Sequence, residues 1–275
     1  MKSEICLYNL QNATVETVLQ TDRLVEAPNW TPDAAALIVN CEGRIFRVDL
    51  AKPGLEKIDT DFAMSCNNDH GVSPDGQTLA ISDRTEDGTS CIYTLPITGG
   101  RPQRVTGVTP SYWHGWSPDG SALAFVGKRE DNVFNVYTIS LNGGAETRLT
   151  EGFDHSDGPD YTPDGKWIWF NGEKENRMQL WRIRPDGSAL EQMTDDERCN
   201  WFPHPAPNGR WIVYLTYAPG TTGHPRDREV DLRLIPANGG TPRILIRMFG
   251  GQGTINVPSW SPDSSRFAFV RYERP

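Results

Sequence analysis

A chain of 275 residues with a net charge of −9 repels a nucleic-acid backbone, and no run of lysine or arginine interleaved with aromatics offsets that charge. Five cysteines (Cys6, Cys41, Cys66, Cys91 and Cys199) are odd in number and form no Cys-x-x-Cys pair, which argues against a disulfide framework and against a structural zinc. Apolar content is low at 37%, but nine tryptophans and ten phenylalanines concentrate it, so packing between repeated units can supply a core.

The first elements, Ile5 to Leu10 and Glu16 to Gln20, read as two strands. From there a phrase of the type Trp-Ser-Pro-Asp-Gly organises the chain. It occurs as Trp30-Thr31-Pro32-Asp33, Val72-Ser73-Pro74-Asp75-Gly76, Trp116-Ser117-Pro118-Asp119-Gly120, Tyr161-Thr162-Pro163-Asp164-Gly165, Pro205-Ala206-Pro207-Asn208-Gly209 and Trp260-Ser261-Pro262-Asp263. Successive prolines lie 42, 44, 45, 44 and 55 residues apart, the period of a four-stranded propeller blade. The phrase is a turn signal, in which proline presets φ, aspartate accepts backbone hydrogen bonds and glycine takes positive φ. The third repeat shows the whole unit: strand A ending at Trp116, strand B over Ala122 to Val126, strand C over Phe134 to Ser140, an Asn142-Gly143-Gly144 turn, and strand D at Thr147 to Thr150. At the ends the unit is split. The first two strands read as C and D of a sixth blade, and Asn256 to Trp260 with Phe267 to Tyr272 read as its A and B. The expected fold is therefore an all-β, six-bladed propeller in one domain over residues 1–275, its last blade closed by two strands from each terminus.

The first residues lack the apolar core of a secretory signal, and no apolar run is long enough to span a bilayer. That predicts a cytoplasmic protein without a membrane span, or a periplasmic one if a leader has been removed.

In this fold the D-to-A and B-to-C loops surround one mouth of the central channel, where convergent polar groups can meet a single ligand. Four residues before the first residue of each phrase stand Glu26, Asn68, Tyr112, Asp157, Trp201 and Asn256, and two residues before it His70 and His114. Asp69, Trp113, His155, Asn200 and His204 lie beside them, so four of the five histidines fall at one end of strand A. The B-to-C loops add Arg84, Arg129 and Glu173 on the same face. Carboxylate, amide, imidazole and indole groups in such a ring suit a polar ligand, either a carbohydrate or a peptide segment. The competing reading is that they bind only water and cap neighbouring backbone. His70, His114, His155 and Asp157 are also the candidate ligands for a divalent metal, the only cofactor suggested, although no fixed-spacing motif supports it. The string His155-Ser156-Asp157 holds triad residue types but reads as loop. The longest insertion, Ala218 to Glu229, carries His224, Arg226, Asp227 and Arg228 and reads as a lid, a partner contact or disorder. Gly250-Gly251-Gln252-Gly253 reads as an anion-binding turn or a plain tight turn.

With the repeats laid out, the chain resembles the propeller of the TolB family and its WD40-like (PD40-type) repeats, in segments such as Tyr137-Thr138-Ile139-Ser140-Leu141-Asn142-Gly143-Gly144 followed by Arg148-Leu149-Thr150. The resemblance covers nearly all of the chain and implies the fold, together with a role in binding a polar ligand or a protein partner. TolB adds a small N-terminal α/β domain that this sequence does not show. The propellers of prolyl oligopeptidase-type peptidases are related, but no Gly-x-Ser-x-Gly elbow occurs here. A weaker similarity to oligogalacturonate lyases, carried by the His-Gly-x-Ser-Pro-Asp-Gly and Phe202-Pro203-His204-Pro205 segments, implies the alternative of a carbohydrate lyase or hydrolase that uses histidine, carboxylate and a divalent metal.

Overall fold

The computed structural model describes residues 2–274, and every regular element among them is a strand. The chain opens with β1 (Ser3–Asn9) and β2 (Thr14–Thr21). Blade 1 follows as β3 (Val25–Trp30), β4 (Ala36–Cys41), β5 (Arg44–Asp49) and β6 (Glu56–Lys57), and blade 2 as β7 (Cys66–Val72), β8 (Thr78–Asp83), β9 (Cys91–Pro96) and β10 (Gln103–Arg104). Blade 3 is β11 (Ser111–Trp116), β12 (Ala122–Lys128), β13 (Phe134–Ser140) and β14 (Thr147–Arg148); blade 4 is β15 (His155–Tyr161), β16 (Ile168–Lys174), β17 (Arg177–Ile183) and β18 (Glu191–Gln192). Blade 5 is β19 (Cys199–Pro205), β20 (Trp211–Tyr217), β21 (Arg228–Pro236) and β22 (Arg243–Gly250), and β23 (Arg266–Tyr272) returns to pair with β1. All five complete blades are four-stranded antiparallel meanders, and the sixth sheet has the order β2-β1-β23.

Ring closure is a seven-pair antiparallel register between β1 and β23, from Ser3 opposite Tyr272 to Asn9 opposite Arg266. The first and last strands therefore lie side by side in one sheet. The sequence predicts a 2+2 closing blade, and three of its strands form as expected. The fourth, Asn256 to Trp260, is reduced to a single bridge between Trp260 and Phe267. Pro258 has no N–H to give to a ladder there, and its carbonyl instead accepts from Asn29 Nδ2 of blade 1 at 2.6 Å. Outer strands of only two residues in blades 1 to 4 leave little edge for another chain to pair with.

The repeated phrase folds as a turn. Ser117 Oγ donates to Asp119 Oδ1 at 2.6 Å, the same oxygen accepts from Ser121 N–H, and Gly120 N–H donates to the Ser117 carbonyl. Gly120 takes φ 71°, and Ala34 and Ser264 adopt similar values where blades 1 and 6 lack the glycine. The five cysteines are buried free thiols.

Strand A is bulged in each complete blade. Its pairing with strand B slips between Glu26 and Asn29, Cys66 and His70, Trp113 and Gly115, Asp157 and Asp160, and Trp201 and His204. A bulge removes backbone groups from the ladder and turns side chains out of the alternating pattern. In several blades the freed backbone groups are taken by a polar side chain of the preceding blade's strand B. Asn40 Nδ2 donates to the Cys66 and Asn67 carbonyls, Ser82 Oγ accepts from Trp113 N–H, and Asn171 Oδ1 accepts from Phe202 N–H. Trp116 Nε1 donates to the Gly71 carbonyl at 3.1 Å, and Trp260 Nε1 to the His204 carbonyl at 2.9 Å, each reaching back one blade.

The Trp113 ring is fully buried over Gly71 of blade 2, so closely that a Cβ at Gly71 would stand 2.0 Å from Trp113 Cη2. Neither the ring nor the strand backbone can give way inside a packed core. Gly71→Ala is expected to lower stability by about 1–3 kcal/mol, as overpacking does. Chemical denaturation checks this, and an unchanged midpoint would show that the blade interface has slack.

Candidate functional site

The bulges aim a set of polar side chains into the channel mouth. There a cavity of about 260 Å³ is lined by Asn67, Asn68, Asp69, Tyr112, His114, Val126, Phe134, His155, Asp157, Phe202, His224, Gln252 and Asn256. Its centre is Asp157, at the bulge of β15. His114 Nε2–H donates to Asp157 Oδ1 at 3.1 Å, His155 Nε2–H donates to Oδ2 at 3.2 Å, and His224 Nε2 stands 3.8 Å from Oδ2. Three imidazoles from three blades or their loops thus share one carboxylate. His155 and Asp157 open β15 rather than lying in a loop, which corrects the reading from sequence: residues two apart on a strand share a face.

Burial and the neighbouring charges oppose one another across the group. For Asp157 burial favours the neutral acid, yet the bonds and charges of His114 and His155 outweigh it and hold the carboxyl well below its usual range. Burial would also lower His114, but Asp69 and Asp157 together raise it above the ordinary imidazole value. His155 is raised against burial by Asp157 and by the charge of Glu173. In His224 burial prevails and lowers the value, although Asp157 and Gln252 pull the other way. Burial pushes Asp69 up to about 6, and it pushes Glu26 up to about 7 against the opposing charge of Arg226. The cavity therefore holds imidazoles shifted in opposite directions, His114 and His155 upwards and His224 downwards.

His224 comes from the insertion, which folds across the mouth. Its Nδ1 bonds Gln252 Oε1, its ring packs at 4.5 Å from Trp201 and 5.1 Å from Phe202, and Tyr217 Oη donates to the Pro225 carbonyl at 3.1 Å. Gly251 allows the approach, since a Cβ there would lie 2.2 Å from the Pro225 oxygen. The glycine-rich segment is a tight turn whose amides are already used: Gly251 N–H bonds Thr254 Oγ1, Gln252 N–H bonds the Pro225 carbonyl and Gly253 N–H bonds Asn256 Oδ1. Phe134 closes the outer side, 5.2 Å from the His155 ring and 6.1 Å from Tyr112.

Of the residues expected from sequence, Asn68, Asp69, Tyr112, His114, His155, Asp157 and Asn256 line this cavity. Trp201 supports it from behind, packed on His155 and His224. Glu26 lies on the blade 1 side against Gly253, where a Cβ would come within 2.6 Å of its Cγ. The others are placed elsewhere. His70 is buried with Nε2 at 3.1 Å from the Ile38 carbonyl, and burial lowers it to about 4. His204 is clamped between Asp160 at 3.1 Å and the Ile255 carbonyl at 2.7 Å. Trp113 is core, and the Asn200 amide is spent on Gln179, Thr194 and Asp196. Arg129 folds back onto Glu146, the Pro110 carbonyl and Ser111. Glu173 pairs with His155 across the blade 4 ladder. Arg84 lines a neighbouring recess.

The suggested metal set is brought together only in part, because His70 stands apart from His114, His155 and Asp157. The N–H groups of His114 and His155 point at the carboxylate rather than presenting lone pairs to a common point. Among the described residues no three His, Cys, Asp or Glu side chains form a metal-holding group. His224 and Gln252 are the main site residues that do not follow from the repeat, since both belong to segments outside its register. The length of the 218–229 insertion is the one signal that pointed to His224.

The model of the TolB beta propeller domain, a PD40 family, matches residues 108–224. An uncharacterized protein of Agrobacterium fabrum is 50% identical over 273 residues, which cover 99% of this chain and 93% of that protein. A solved structure from Agrobacterium tumefaciens, assigned provisionally to TolB, is 50% identical with a TM-score of 0.98 over 100% of this chain and 99% of its own. TolB from Acinetobacter baumannii shares the fold at 19% identity, with a TM-score of 0.72 over 91% of this chain and 64% of its own.

Asp157→Asn removes a charge that, with Asp69 for His114 and with Glu173 for His155, raises the two imidazoles. The His155 value is expected to fall below that of free imidazole, because burial then prevails over the remaining charge of Glu173. Nitrogen-detected NMR titration of the histidine rings measures it, and a His155 value unmoved by the substitution would show that Asp157 is not the partner.

Proposed function

The chain belongs to the TolB-like β-propeller family, and we propose that it is a binding protein that takes a polar, sugar-sized ligand into the mouth of its channel. The observation that carries this reading is the convergence of Asp157, three imidazoles and the amides of Asn67, Asn68, Gln252 and Asn256 on one cavity of about 260 Å³. That volume is just below the ~300–1,000 Å³ of pockets for drug-sized molecules, so it suits one sugar ring better than a peptide segment. Amides and imidazoles that both donate and accept match the alternating needs of hydroxyl groups. Phe134, Tyr112 and Phe202 offer apolar faces on which the C–H side of a sugar ring can pack.

A second reading, a carbohydrate lyase or hydrolase, is favoured by one specific feature. His155 is biased towards the charged form and His224 towards the neutral form, and both face Asp157. Pairs of groups pushed apart in this way supply an acid and a base at the same pH.

His114→Gln and Asp157→Asn each remove a hydrogen-bonding charge without changing side-chain size much. In a calorimetric screen of neutral, amino and acidic monosaccharides and short peptides, each is expected to weaken the best hit about tenfold or more. Wild-type affinity in both variants would sink the binding reading. Release of unsaturated or reducing sugar from polysaccharides by the wild type, lost in Asp157→Asn, would move the enzyme reading ahead.

A further inference from the structure

We propose that the recess beside the channel mouth is an anion subsite, so that the ligand held in the channel carries a carboxylate or phosphate group. This rests on the channel being a binding site for a small polar molecule. The recess encloses about 320 Å³ and shares Asn67 and Tyr112 with the channel cavity, so the two form adjoining halves of one surface. Arg84 is the only charged side chain in its lining. Its Nε–H donates to Ser65 Oγ at 3.0 Å, which fixes the plane of the guanidinium. Among the described residues no carboxylate comes within 4.0 Å of it, although most arginines of this chain are so paired.

The adjacent Asp83 does not neutralise Arg84 by contact. It is absent from the lining, and its two oxygens accept from Ser65 N–H and Thr85 N–H, both at 2.7 Å. A second observation points to a ligand: the Ser90 hydroxyl, buried in the wall of the same recess, has no hydrogen-bond partner among the described residues. Buried hydroxyls are rarely left without one. A guanidinium with a free edge is the donor that a planar or tetrahedral oxyanion needs, and the Ser90 hydroxyl, closed off in the wall, can add a second by turning towards it. On a chain of net charge −9 an unpaired arginine facing a recess is a local exception to the surrounding field. A molecule with hydroxyls in the channel and an oxyanion past Tyr112 would occupy both halves.

The test is calorimetric titration of the wild type and of Arg84→Gln, which keeps a donor for Ser65, with glucose and galactose, their uronates and their 6-phosphates. The charged probes are expected to bind the wild type about ten- to a hundredfold more tightly than the parent sugars. Arg84→Gln is expected to erase that advantage, and Ser90→Ala to reduce it. An advantage for the uronates alone assigns a carboxylate, and one for the 6-phosphates alone assigns a phosphoryl group. Equal affinity of neutral and charged probes, or an advantage that survives Arg84→Gln in a protein with the wild-type melting temperature, overturns the subsite while leaving the channel reading in place. Binding of none of the six overturns both.

Discussion

The bulge in the innermost strand is the constraint on which the rest of the molecule depends. A regular strand A would hold every backbone group in its own blade and alternate its side chains between the two interblade faces. With residues added opposite β4, β8, β12, β16 and β20, the backbone exposes amides and carbonyls that its own blade cannot satisfy. Asn40, Ser82 and Asn171 satisfy them from the blade before. The same irregularity that turns His114 and Asp157 towards the axis therefore also fastens one blade to the next. Site and ring are not separable, and a change that straightened the strand would be felt in both.

The five histidines show how this works in detail. His70 and His204 use ring nitrogens to reach carbonyls or a carboxylate of neighbouring blades, and both are removed from the channel. His114, His155 and His224 instead surround a single carboxylate that faces the cavity. A carboxylate buried with one imidazole makes a static clamp, as Asp160 does with His204. Shared among three, it leaves rings of different protonation preference in one small space, and such a group can exchange protons or hydrogen bonds with a guest without a large rearrangement.

The fold was legible in the sequence because its signals are local and repeated. Each Ser-Pro-Asp-Gly phrase sets a turn by its own chemistry, and four steps of 42 to 45 residues followed by one of 55 leave little choice of architecture. The candidate site was most legible where it follows that spacing, as Tyr112, Asp157 and Asn256 do, with His155 picked out only as a neighbour of the counted set. Counting back from the first residue of the phrase assumed a regular strand, and the bulge breaks the count: His70 and His114 share a position in the count, yet one is packed in the core and the other faces the cavity. Pro28, Gly158, Pro159 and Pro203 are the residues that mark the bulge, since proline and glycine weaken a strand interior. The missing strand A of the last blade has the same cause in Pro258.

His224 and Gln252 lie outside any repeat, and that separation carries its own consequence. The insertion is held over the mouth by Tyr217 at the end of β20, by the close approach at Gly251 and by the His224–Gln252 bond, the last two joining the B-to-C insertion to the following D-to-A turn. The ring supplies Asp157, His114 and His155 whatever those segments do. The third imidazole and the covering wall come from parts whose sequence can change at little cost to the blades. Loops on a rigid frame are where binding chemistry diversifies. In this chain the blades thus supply the central carboxylate, and what is held against it is chosen by the insertion ahead of β21 and by the turn that carries Gln252.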